Sequence, residues 1–131
     1  MLFRSKMDYI KIKRIYEPPE DTDGKRILVD RLWPRGISKK RAALDSWAKE
    51  IAPSPDLRKW FGHEAKKLND FGKAYRGELT RNPDAMAWAS KIADWLKQGD
   101  VTLLYAAKNP QVNHALILKD WLEQKILKIE I

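Results

Sequence analysis

The run Ile27-Leu28-Val29-Asp30-Arg31-Leu32-Trp33-Pro34-Arg35-Gly36 constrains the fold of this chain more than any other stretch. Its first three residues are aliphatic and apolar toward both faces. That pattern is expected of a central strand covered on both sides. The run then breaks abruptly into a carboxylate, two guanidiniums, a tryptophan, a proline and a glycine. Such a strand belongs inside a layered sheet, with polar chemistry at its carboxyl lip. We predict the strand over Ile27–Leu32 and a second of the same kind over Val101–Ala106. A third, Tyr9–Tyr16, alternates: Ile10 and Ile12 share one face, Lys11 and Lys13 the other.

The rest of the chain is punctuated as helices. Ser54-Pro55, Asn82-Pro83 and Asn109-Pro110 each place a capping side chain before a proline, which costs nothing at the first helical position. Gly62 and Gly99 stand where the preceding helices should stop. Five helices are predicted: Lys39–Ile51, Pro55–Phe61, Glu64–Leu79, Pro83–Gln98 and Pro110–Leu127. Their apolar stripes place Trp47, Trp88, Trp95 and Trp121 in the core.

Strands interleaved with helices give an α/β class: a small layered domain with a short, mostly parallel sheet flanked by about five helices. With 131 residues, a single domain over 1–131 is expected, residues 1–8 being an extension with Met7 as an alternative start. The link Glu17–Gly24 is too short for a helical crossover. It favours an antiparallel first pair, with a parallel arrangement across an extended loop as the alternative.

Charge and composition narrow the partners. Lys and Arg number 26 against 18 Asp and Glu, a net +8 that favours nucleic acid, nucleotides or another small anionic ligand. Cysteine is absent, which removes thiolate chemistry and disulfides and fits a reducing cytoplasm. No apolar run approaches the ~20 residues that span a bilayer, so no membrane partner is expected. Two histidines among scattered carboxylates show no metal-ligand spacing. No phosphate loop, dinucleotide fingerprint or nucleophile elbow occurs, so no cofactor is expected.

Ligands of open parallel sheets collect outside the carboxyl strand ends. One predicted end carries Asp30, Arg31, Trp33, Arg35 and Gly36; the other carries Tyr105, Ala106, Ala107, Lys108 and Asn109, followed by the last helix. Arg31, Arg35 and Lys108 are the candidates to hold an anion, helped by the free amides of that helix. Trp33 and Tyr105 would stack on or wall the ligand. Gly36 would open the backbone to it or serve a turn. Asp30 and His114 are the acid–base candidates, Asn113 would orient, and His63 is a second base or a loop residue. Each also has a structural reading: a pair at the sheet edge, a packed indole, a turn. The expected function is anion binding, with metal-independent hydrolysis or group transfer open. The rivals are a nucleic-acid module using the basic Arg35–Arg41 face, and a protein-interaction domain.

Several motifs carry a resemblance. Arg26-Ile-Leu-Val-Asp-Arg-Leu-Trp-Pro-Arg-Gly-Ile-Ser-Lys39, Leu57-Arg-Lys-Trp-Phe-Gly-His63, Tyr75-Arg-Gly-Glu-Leu79 and Val101-Thr-Leu-Leu-Tyr-Ala-Ala-Lys108 with Asn113-His114 resemble the YeaO-like proteins, domain of unknown function 488. The resemblance runs from about Tyr9 to about Glu123 and implies a small α/β domain. More distant members resemble it in layout but carry a cysteine where this chain has Tyr105. They read Cys-His-Arg where this chain has Asn113-His114-Ala115. Thiol chemistry is therefore not implied here.

Overall fold

The computed structural model describes residues 10–130. The expected extension over 1–8, and the first residue of the predicted strand, Tyr9, lie outside them. Among the described residues, four strands form one sheet: β1 (Ile10–Arg14), β2 (Lys25–Leu28), β3 (Ser46–Trp47) and β4 (Val101–Tyr105). Their spatial order is β1-β4-β2-β3 and every pairing is parallel. Five helices accompany them: α1 (Lys39–Ala42), α2 (Pro55–Phe61), α3 (Leu68–Arg81), α4 (Pro83–Leu96) and α5 (His114–Glu130). The α/β class is as the sequence indicates. No helix among the described residues is long and apolar enough to cross a membrane.

Side-chain alternation sorts the two faces. Ile10, Ile27, Val29, Val101, Leu103 and Tyr105 join the main core with Phe71, Tyr75, Leu79, Ile92, Leu118 and Leu122 of α3, α4 and α5. Ile15, Leu28 and Leu104 face the other way, into a smaller cluster closed by Trp33, Ile37, Leu44 and Trp47. The longer helices therefore cover one face, and loops with the short α1 cover the other. Trp121 is buried, Trp88 and Trp95 pack partly exposed on the main core, and Trp47 is half-buried against Trp33 at 5.3 Å between ring centroids.

Three expectations fail for identifiable reasons. The antiparallel first pair is wrong, because β4 inserts between β1 and β2 and pairs parallel with both. The segment 15–24 returns along the face of the smaller cluster with a single 3-10 turn, Asp21–Asp23, and no α-helix. It is held where Thr102 Oγ1 donates to the Asp23 carbonyl at 2.6 Å, and where Lys13 meets the Asp23 carboxylate at 3.0 Å. Burial opposes the charge on Asp23. The Glu20 amide, Lys13 and Arg26 outweigh it and hold the carboxyl below its usual range.

The second failure is the helix over Lys39–Ile51. It stops at Ala42, because Ala43 takes a left-handed φ of 49° and Arg26 occupies the Ala42 and Ala43 carbonyls with its guanidinium. Ser46–Trp47 then pairs with Ile27–Leu28 as an edge strand, Asp45 accepting from the Arg26 amide at 2.8 Å. A buried arginine hungry for acceptors thus overrides local helical periodicity.

The last helix also begins later than expected. Asn113, not Asn109, caps it, its Oδ1 accepting from the Leu116 amide at 3.1 Å. Asn109 turns on itself, accepting from the Gln111 amide at 2.8 Å. A loop over 106–113 therefore stands between β4 and α5, at the carboxyl end of the sheet.

Candidate functional site

A cavity of about 490 Å³ opens at the carboxyl ends of β2 and β4. Asp30, Arg31 and Leu32 enter it from the β2 end; Ala106, Ala107, Lys108 and Asn109 from the β4 end; His114 from the first turn of α5. Ala52, Pro53, Arg58, Phe61, His63 and Phe71 complete the wall.

Arg31, Asp30 and His114 are placed by groups behind them. Arg31 donates through Nε and Nη2 to the Pro53 carbonyl at 3.3 and 3.2 Å, and through Nη2 to that of Ala52 at 3.2 Å. That segment is itself clamped by α3. Tyr75 donates to the Ile51 carbonyl at 2.6 Å, and Glu78 accepts from the Ser54 amide at 2.9 Å and from its hydroxyl. Opposite, Arg14 donates to the Ala107 and Ala106 carbonyls at 2.8 and 3.2 Å, fixing the loop after β4 from behind.

Asp30 and His114 form the floor. One carboxylate oxygen, Oδ2, accepts from the Ala106 amide at 3.0 Å, and the Asp30 carbonyl accepts from the Trp47 indole at 2.7 Å. His114 Nε2 lies 3.0 Å from the Val29 carbonyl, which can only accept, so this nitrogen carries a proton. The same nitrogen is 3.3 Å from Asp30 Oδ1, yet that oxygen has no aligned donor. The contact is an ion-pair distance without a hydrogen bond.

Burial sets the electrostatics of the pair. It pushes the Asp30 carboxyl above its usual range, against the pull of His114 and the Ala106 amide. It also pulls His114 below its usual value, against the pull of Asp30. A carboxyl whose folded pKa is raised costs stability once ionised. The penalty is absent below the unfolded value of 3.8 and complete above the folded one. Asp30→Asn should therefore gain stability relative to the parent as pH rises from below 3.8 to neutral. Thermal melts across that range check it, and a difference that does not change with pH contradicts it.

His63 has a φ of 60°, directly after Gly62 at 53°. Histidine tolerates the left-handed region better than most residues, but it remains an uncommon conformation. It sets His63 at the rim, its ring 5.9 Å from that of Phe61.

Asp30, Arg31, His63, Lys108 and His114 thus meet around one cavity. Five other sequence candidates do not line it. Trp33 donates to the Ile37 carbonyl at 2.6 Å and packs in the smaller cluster. Arg35 and Gly36 belong to the loop on that face, Tyr16 donating to the Arg35 carbonyl at 2.8 Å. Tyr105 is buried in the main core. Asn113 is fully buried, donating to the Asn109 carbonyl at 2.9 Å while it caps α5. Sequence reasoning missed Leu32, Ala52, Pro53, Arg58, Phe61 and Phe71. One signal was available: Arg58 and Phe61 are three apart on a capped helix and so share a face.

Residues 9–130 match the family model described as the inactive DUF488-N3 subclade. The chain belongs to the YeaO-like DUF488 family. It is 50% identical over 113 residues to the uncharacterized protein YeaO of Escherichia coli K12, covering 86% of this chain and 96% of that protein. It is 34% identical over 109 residues to the uncharacterized protein Rv3073c of Mycobacterium tuberculosis H37Rv, covering 83% and 89% respectively. The same figures hold for the uncharacterized protein Mb3100c of Mycobacterium bovis. No solved structure matches the chain.

Proposed function

We propose that this DUF488 protein binds a small anionic ligand, phosphate- or nucleotide-containing, in the cavity at the carboxyl ends of its parallel strands. One observation carries the reading: Arg31, Arg58 and Lys108 border the cavity against the single carboxylate of Asp30. Arg58 and Lys108 are exposed at the rim, so their charge is available to a ligand. The net charge of +8 extends the attraction beyond the site.

Binding without turnover is the better-supported form. His114 spends Nε2 on the Val29 carbonyl and Asp30 spends one oxygen on the Ala106 amide, which suits a scaffold more than a proton shuttle. The word inactive in the description of the matching subclade points the same way. The nucleic-acid reading is weaker, because Arg41 of the basic 35–41 stretch donates to the Tyr16 carbonyl at 2.8 Å, leaving less of that face free. Absence of cysteine suits a cytoplasmic setting.

Calorimetric titration with adenosine monophosphate tests the proposal. Lys108→Ala should weaken binding about tenfold, and added salt should weaken it further, because the cation is exposed to screening. Affinity that ignores both changes contradicts it.

A further inference from the structure

Resting on that reading, we infer that the ligand is amphipathic: a phosphate monoester of an aromatic body, which enters body first and leaves its phosphate at the mouth. The exposed cations and the buried aromatic rings of the cavity wall are separate groups of residues. Arg58, His63 and Lys108 are exposed at its rim. Phe61 and Phe71, stacked at 4.0 Å between centroids, are 3% and 1% exposed. A ligand with its anion at the rim meets Arg58 and Lys108, and its body lies in the apolar interior that the phenylalanines back.

The reverse orientation is opposed by Asp30. Its side chain is only 18% exposed at the floor, where an incoming phosphate meets a like charge shielded from water. Repulsion from the floor and attraction at the rim together fix which end enters. Bare inorganic phosphate fits poorly. It engages the rim and leaves an interior of about 490 Å³, a volume typical of small-molecule sites, lined largely by apolar groups. Leu32, 62% exposed at the same mouth, offers a further apolar contact that inorganic phosphate cannot use.

Titration of the full chain with 1-naphthyl phosphate, inorganic phosphate and 1-naphthol separates head from body. Burying on the order of 100 Å² of apolar surface makes 1-naphthyl phosphate about 100-fold tighter than inorganic phosphate. Ala107→Leu fills part of the cavity and should cut 1-naphthyl phosphate affinity at least about tenfold and inorganic phosphate affinity far less. Leu32→Ser, at an exposed position that does not threaten folding, should lower 1-naphthyl phosphate affinity alone, by a few-fold. Equal affinity for the two phosphates overturns the amphipathic inference and leaves the anion site standing. Naphthol binding as tightly as its phosphate overturns the assigned role of the rim. Binding of neither phosphate overturns both this inference and the proposal beneath it.

Discussion

Gly24→Ala lowers stability by about 3–5 kcal/mol, a fall of roughly 10–20 °C in melting temperature for a chain of this size. Gly24 turns the chain into β2 with a φ of 65°, a region that penalises any β-carbon. The larger problem is space. A β-carbon built there falls 2.0 Å from the Asp100 carbonyl oxygen, which is backbone and cannot swing aside. That carbonyl also accepts from the Lys25 amide at 3.0 Å, so relief would pull apart the start of the β2–β4 pairing. Gly36→Ala separates the two causes. Gly36 has a φ of 79° but open space around the missing carbon, so only the conformational penalty applies, about 1–2 kcal/mol. Thermal melts of the two variants check this, and equal losses contradict the steric account.

The second large effect concerns the site. Arg58→Glu combined with Lys108→Glu should weaken adenosine monophosphate binding more than about 100-fold, because attraction at the rim becomes repulsion. Both side chains are exposed and, among the described residues, make no hydrogen bond or ion pair, so the melting temperature should hardly move. Lost binding with an unchanged melt assigns the rim to the ligand. Retained binding contradicts the proposed site.

The strands at the heart of the sheet were legible because their apolar runs end in unmistakable polar tips. The proline-marked starts of α2 and α4 were legible for the same local reason. Ser54 and Asn82 do accept from the amides of Leu57 and Asp84. What failed was decided at a distance. The stripe Ala43, Leu44, Trp47, Ile51 has helical spacing, yet Arg26 claims the carbonyls that would continue the helix. Asn109 and Asn113 are equally good caps on paper. Which one serves depends on where the chain must cross from β4 to α5.

The candidate site divides along the same line. Asp30, Arg31 and Lys108 sit within two or three residues of strand ends, so topology alone brings them together. Arg58, Phe61 and Phe71 come from helices whose position relative to the sheet is set by packing. Trp33 and Arg35 follow Asp30 closely, but the loop carrying them folds over the opposite sheet face, where Leu28 and Leu104 need cover.

The central claim is that an anion sits between the two strand ends. Amide chemical shifts followed by nuclear magnetic resonance during titration with adenosine monophosphate test it most directly. The account predicts saturable shifts concentrated at Arg31, Arg58, His63, Ala106, Ala107 and Lys108. Shifts confined to Lys39–Arg41, or none at all, would contradict it.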